Sequence, residues 1–341
     1  MGSFAFWNNK GGTGKTSLAF QAICKYALTH PGRKILVVDL CPQANLSELL
    51  LGGLVGTGSD RLLQLHRENS RRSVGGYFQL RLPSPYAFPA GINPADFIIT
   101  PRTMNPQIPI NIDLMPGDGL VELQANAIAT LANTQIPGTN TWQAVINWMR
   151  DFLSKVNDQY QTFFLDTNPS FSVYTQIALA ASELLVLPVM ADDSSRRALE
   201  NAFTLVHGVN LPSPIYSPYA FSTRLREAGQ SAPRVHLVIK NRLTQYMGAA
   251  SAFHTVLTSI DTLIEAQLRS TPAMFSFLAL SNGIAEVRDF GTTGVVAFAE
   301  GTPFDRLRTG SHNIMGNKVS INRENVVNCN DAIQAVVQRL P

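Results

Sequence analysis

Cysteine is scarce in this chain. Cys24, Cys41 and Cys329 lie far apart, which offers no disulfide framework and no thiolate metal cage, so a reducing, cytoplasmic compartment is expected. The six histidines include no pair at i, i+4, so no zinc site is indicated. No run of about 18 apolar residues is present to span a membrane. The short run Phe4–Trp7 lacks the basic flank of a secretory leader. Charged residues make up only 15%, and the net charge of +3 rests on arginine more than lysine. That excess permits a nucleic-acid partner without requiring one. Internal repeats and low-complexity tracts are missing as well. What remains is 341 residues, 45% of them hydrophobic, enough for a sizeable core in one large α/β domain or two small ones.

Short β-rich apolar runs alternate with longer helical patterns, as in a mostly parallel central sheet with helices on both faces. The spacing predicts strands at Ser3–Asn8, Lys34–Leu40, Thr162–Asp166, Leu184–Met190, Val235–Lys240 and Met274–Leu280. Ile35-Leu36-Val37-Val38 is continuously apolar, as a strand buried on both faces should be. A first helix follows Leu18 and stops at His30-Pro31-Gly32. From Thr141 to Val156, Trp142, Val145, Ile146, Met149, Phe152, Leu153 and Val156 recur at helical spacing, a core-packing stripe. From about 55 to 110 the rhythm breaks: seven prolines fall between Pro83 and Pro109, with Arg61, Arg67, Arg71, Arg72, Arg81 and Arg102 in or beside the stretch. Such density opposes regular helix or central strand. It predicts an irregular excursion from a single domain, one that covers a sheet edge, offers a partner surface or has no dedicated role.

The most informative residues are Lys10-Gly11-Gly12-Thr13-Gly14-Lys15-Thr16, between an apolar run and an apolar-periodic stretch. A phosphate-binding loop needs this strand, glycine-rich loop and helix order. Glycine lets backbone N–H groups approach phosphate oxygens, and the helix N-terminus adds a favourable dipole. Lys15 is placed to neutralise phosphate charge and Thr16 to ligate Mg²⁺, with Ser17 next in the same turn. The usual pattern has glycine where Asn9 stands, and a second lysine, Lys10, sits inside the loop. Asp39 ends the second predicted strand and opens Asp39-Leu40-Cys41-Pro42-Gln43-Ala44-Asn45. Phe163-Phe164-Leu165-Asp166, followed by Thr167-Asn168-Pro169-Ser170, has the Walker B form of an apolar strand ending in a carboxylate.

With these three motifs in this order, the chain resembles the ParA/MinD family of deviant Walker A P-loop ATPases. The segment Ile112–Asp118 resembles the strand and turn preceding the family's Walker B region, and Asn241-Arg242 its base-recognition corner. The Pro42-Gln43-x-Asn45 form favours the ParA side. The resemblance implies an α/β P-loop fold, ATP and Mg²⁺ as cofactors, and an ATP-dependent homodimer. Lys10 would reach the partner subunit's phosphates, and Lys15 would hold its own, cradled with Gly11, Gly12, Thr13, Gly14, Thr16 and Ser17. Thr16, Asp39 and Asp166 would serve the metal, and Asn241 with Arg242 the adenine. It further implies non-specific DNA binding over the nucleoid, a ParB-like or cargo adaptor that stimulates hydrolysis, and a task in segregating a plasmid, chromosome region or protein assembly.

Cys41 departs from the family, which usually carries a second aspartate there. A thiol is a poor partner for hard Mg²⁺ and for orienting water at neutral pH. Slow hydrolysis is therefore expected, unless Asn168 or a partner residue orients the water. Two alternatives stay open: a weakly hydrolysing nucleotide-binding scaffold, and a P-loop metabolic or assembly enzyme, although cluster assembly would want paired cysteines. Asp289-Phe290-Gly291 spells a kinase triplet without the catalytic-loop pattern that should precede it. Gly53–Gly58 reads as a flexible connection, and Asp192-Asp193 as a helix cap. The C-terminal stretch Asn325–Leu340 presents one apolar face, including Val327, for packing on the core rather than on a membrane. Arg224, Arg226, Arg234, Arg242, Arg269, Arg306 and Arg308 are candidates for a DNA surface.

Overall fold

Alternating side chains in the first two strands explain the layering. In β1 (Gly2–Phe6) and just beyond it, Phe4 and Phe6 enter one core while Ala5 and Trp7 enter another. In β2 (Ile35–Asp39), Ile35 and Val37 share the first core, and Leu36 and Val38 the second. Both faces of the sheet are thus buried, which is why these runs read as continuously apolar. The computed structural model describes residues 2–243 and 251–341.

The remaining strands are β3 (Ile112–Met115), β4 (Thr162–Asp166), β5 (Leu184–Met190), β6 (Arg234–Leu243) and β7 (Ile284–Arg288). They form a seven-stranded sheet in the order β3-β2-β4-β1-β5-β6-β7, with every pairing parallel. Helices cover both faces, giving one α/β domain of the P-loop type. A separate antiparallel hairpin, β8 (Gly310–Ile314) and β9 (Asn317–Ile321), packs on the Gly291–Ala299 helix.

Several expectations need correction. Met274–Leu280 is not a strand: it follows a 3₁₀ turn and touches the sheet through a single bridge, Val235 to Phe275. Phe275 and Phe277 turn into the core, leaving Leu278 exposed. The seventh strand is Ile284–Arg288, whose alternation of buried Ala285 and Val287 with exposed Glu286 marks an edge strand. The Thr141–Val156 stripe is buried as expected, but as two helices, Thr141–Ile146 and Trp148–Ser154, broken at Asn147.

Two helices, Gly58–Arg67 and Val74–Arg81, lie where an irregular stretch was expected. Regular structure is lost only in the proline-dense part that follows, apart from the 3₁₀ turns Pro94–Phe97 and Pro101–Thr103. That part covers the outer edge of β3, where Ile99 and Leu114 exchange backbone hydrogen bonds of 2.8 Å in an antiparallel bridge. Covering an edge removes a row of free donors and acceptors that would template aggregation. The Gly53–Gly58 connection is also pinned: Gly53 N–H donates to Glu48 O and Val55 N–H to Ala299 O. The final helix, Arg323–Val337, packs on Lys15–Thr29 and β7 with Val326, Ile333 and Val336 buried, while Val327 is exposed.

Candidate functional site at the strand ends

β1, β2 and β4 end together. The register pairs Phe6 with Asp166 and Asp39 with Asp166, so two carboxylates close adjacent strands beside the loop that leaves β1. The loop reaches helix Lys15–Thr29 through Gly14, which holds a left-handed φ of 78°. A side chain there would be strained and would run into the Asn241 amide. At Gly11 and Gly12 an added Cβ would meet open space. Among the described residues, the backbone N–H groups of Gly11 to Thr16 donate to no protein acceptor. A run of free donors at a helix N-terminus, with space before it, fits a polyphosphate.

The two lysines have different surroundings. Lys15 is buried and bonds Asp166 Oδ1, while Thr16 Oγ1 donates to Asp166 Oδ2 at 3.2 Å. Lys10 is partly exposed, and its Nζ donates to both Asp192 oxygens (2.7 and 2.6 Å) and to Ser195 Oγ (3.2 Å). Asp192 is also the expected cap, accepting from Ser195 N–H at the start of helix Asp193–His207. Burial alone would raise its pKa, but bonds from Lys10, Ser194 and Ser195 outweigh burial and draw it down to about 2.

Asp39 is fully buried. Its Oδ2 accepts from Ser47 N–H (2.9 Å) and Ser47 Oγ (2.8 Å), and its Oδ1 from Cys41 N–H (3.1 Å). Burial and the neighbouring Asp166 charge push its carboxyl upward, partly countered by Ser47 and Lys15. The same aspartate therefore fixes the 41–47 turn, and Ser47 Oγ in turn accepts from Gly117 N–H at 2.8 Å. Cys41 is buried next to Asp39. Burial, then Asp39 and Asp166, push its thiol up to about 12, so it stays neutral across the physiological range.

Asn241 ends up under the loop rather than open to solvent: its Nδ2 donates to Thr13 O at 2.8 Å, and its Oδ1 is buried without a partner. Arg242 follows in left-handed geometry, φ 58°. Asn168 Nδ2 donates to Tyr174 Oη (3.0 Å), and its Oδ1 accepts from Ser170 N–H (3.2 Å). Among the described residues no cluster of three or more histidine, cysteine or acidic side chains gathers to hold an ion. Thr16 Oγ1 with Asp166 is the donor pair that fits an ion carrying several of its own waters. Several of the candidate DNA arginines are separated or already engaged. Arg234 and Arg242 lie toward opposite ends of β6, Arg224 stacks 4.2 Å over Trp142, and Arg269 pairs with Glu265. Sequence reasoning did not single out Ser47 or Ser195, since a lone serine carries no pattern until the fold supplies its aspartate.

A parallel sheet whose first strand leads through a glycine-rich loop into a helix, with lysine, threonine and a Walker B aspartate in contact, is a P-loop nucleoside triphosphatase core. Residues 1–212 match the AAA_31 family, described as an AAA domain, and the chain belongs to the ParA/MinD family of P-loop ATPases. A virulence plasmid ParA family protein of Chlamydia psittaci is 27% identical over 187 residues, which cover 55% of this chain and 56% of the relative. A putative replication protein A of Sinorhizobium fredii is 28% identical over 183 residues, covering 53% of this chain and 38% of the relative. The alignments thus span about half or less of those relatives. Among solved structures, apo McdA of Cyanothece matches at a TM-score of 0.63 and 14% identity over 100% of both chains. A putative plasmid partition protein of Borrelia burgdorferi, bound to AMPPNP, matches at 0.55 and 14% over 99% of both. These two likenesses concern the fold. Among the described residues, no helix is long and apolar enough to cross a membrane.

Proposed function

We propose that this chain is an ATP-dependent dimerisation switch that binds DNA without sequence preference to segregate or position a plasmid, chromosome region or protein cargo. One observation carries the reading: two lysines of one loop, of which Lys15 is buried against Asp166 and Lys10 projects to the surface at Asp192. One lysine serves the subunit's own phosphates, and the other is in position to serve a partner's.

In this reading the N–H groups of Gly11 to Thr16 and Lys15 hold the phosphates, and Ser17 continues the same turn. Thr16 and Asp166 orient the waters of Mg²⁺, with Asp39 behind them fixing the 41–47 turn. Bound Mg²⁺ would neutralise charge on the β- and γ-phosphates. Asn241, with a free buried oxygen beside the loop, and Arg242 would receive the adenine. A ParB-like or cargo adaptor would stimulate hydrolysis. For Lys10 to cross to a partner, it must exchange Asp192 for phosphate.

The test is light scattering with the mass read out, in ADP, ATP and a non-hydrolysable analogue. Mass doubling with ATP or the analogue, abolished by Lys10→Ala, is the expected result. A mass indifferent to nucleotide would end the switch reading. A second reading, a weakly hydrolysing scaffold, is favoured by Cys41, a neutral thiol beside Asp39 where a carboxylate would orient water. Cys41→Asp should then raise the ATPase rate by about tenfold or more, since a single misplaced electrostatic group costs on that order. No gain would place the water-orienting group elsewhere.

A further inference from the structure

The β8–β9 hairpin has no part in the nucleotide site, and its chemistry is one-sided. From Arg306 to Arg323 the chain runs 18 residues without an aspartate or glutamate. The turn at its tip, Met315-Gly316, has both residues at positive φ (51° and 86°), the geometry that matches strand twist in a tight hairpin. One face is inward: His312, Ile314, Val319 and Ile321 are buried or half-buried. His312 is within hydrogen-bond distance of Glu300 Oε1 (2.7 Å) and Arg308 O (2.9 Å), which ties the ribbon to the end of helix Gly291–Ala299. The register sets the outward face as Ser311 opposite Ser320 and Asn313 opposite Lys318, all exposed. Arg308 and Arg323 flank this face, also exposed. Among the described residues, the side chains of Arg308, Lys318 and Arg323 have no ion-pair or hydrogen-bond partner, whereas most other cations of the chain do.

We infer that this ribbon is the DNA-binding surface, docking its Ser/Asn/Lys face on the duplex with Arg308 and Arg323 on the flanking phosphates. A two-stranded ribbon has the width that the major groove of B-DNA admits. Three unpaired cations in and beside a stretch that itself carries no acidic residue complement a polyanion, and small hydroxyl and amide side chains donate to phosphates without demanding one base. The deep, narrow major groove of an RNA duplex would not admit it. The inference rests on the DNA-binding reading above and assigns its surface.

The test is fluorescence anisotropy of a labelled random-sequence duplex against wild type and the triple variant Arg308→Gln, Lys318→Gln, Arg323→Gln, in the ATP-analogue state, from 50 to 200 mM salt. Each cation–phosphate pair removed should lower the slope of log affinity on log salt by about 0.9. The variant should bind about tenfold to a hundredfold more weakly at 100 mM salt with a flatter slope. Its far-UV circular dichroism and nucleotide-induced mass change should match wild type. Equal affinity and slope in wild type and variant would overturn the ribbon and leave DNA binding standing on another surface. A wild type that binds no duplex in any nucleotide state would overturn both.

Discussion

The Lys10–Thr16 loop and the proline-dense stretch 82–111 are both irregular backbone, yet they are held by opposite means. The loop leaves the backbone N–H groups of Gly11 to Thr16 free. Gly11 and Gly12 face open space, and the side chains that hold Lys10, Thr13 and Thr16 come from far along the chain, Asp192, Asn241 and Asp166. From Phe97 to Asn111 the proline stretch is instead tied down by distant partners. Phe97 is buried among Tyr77 and Phe152, and Ile99 bridges to Leu114. Asn105 Nδ2 donates to Gly301 O at 2.8 Å, and Arg61 Nη1 donates to Leu51 O (2.7 Å) and Met104 O (2.6 Å). Irregular backbone is fixed when distant acceptors satisfy it, and is ready for a ligand when they do not. Damage to the loop should therefore fall on nucleotide binding, and damage to the stretch on stability.

The largest expected effect is Lys15→Met. Breaking a buried pair leaves Asp166 without its counter-charge, a cost of about 3–5 kcal/mol, and nucleotide binding should vanish. Denaturant unfolding at neutral pH and calorimetric titration with ATP read the two consequences. A variant as stable as wild type would mean that Asp166 has another counter-charge. Phe97→Ala comes next, at about 3–4 kcal/mol for a truncated buried aromatic. Its nucleotide affinity should stay within about twofold of wild type, and a larger loss would erase the contrast between the regions. Asn105→Ala should cost about 1–3 kcal/mol by leaving buried carbonyls unpaired. Thermal melts showing no change would mean that the stretch is held by its apolar packing alone.

Asp192→Ala is the smallest effect, about 1 kcal/mol for a lost N-cap. Its acid limb gives a sharper reading. The folded-state pKa of Asp192 is depressed to about 2, so its contribution is present above about pH 4 and disappears as pH falls toward 2. The variant's stability should decline less steeply than wild type across that window. Identical limbs would show that the Lys10–Asp192 bond adds nothing in solution.

Much of the loop was legible because glycine, lysine and threonine at fixed spacing act through the local backbone. The strand-ending aspartates were legible because each closes a continuous apolar run. The edge strand Ile284–Arg288 was missed because only alternate residues are buried, with Glu286 and Arg288 between and after them. Met274–Leu280 was misread because Phe275 and Phe277 are apolar for packing, not for pairing. The helices at 58–81 were obscured by the prolines that follow, which govern only their own part of the chain.

The sequence by itself determined the parallel α/β core, the position of the phosphate loop and the aspartates that end β2 and β4. Those features depend on periodicity and on glycine's freedom at positive φ, properties a chain carries locally. Tertiary structure alone decided which carboxylate meets which lysine, that Asp39 is held by Ser47, and that Asn241 lies beneath Thr13. It also set Lys318 on the β8–β9 ribbon with Arg308 and Arg323 at its flanks. The lysine–carboxylate and Asn241–Thr13 pairings depend on strand order and register, which bring together residues more than a hundred positions apart.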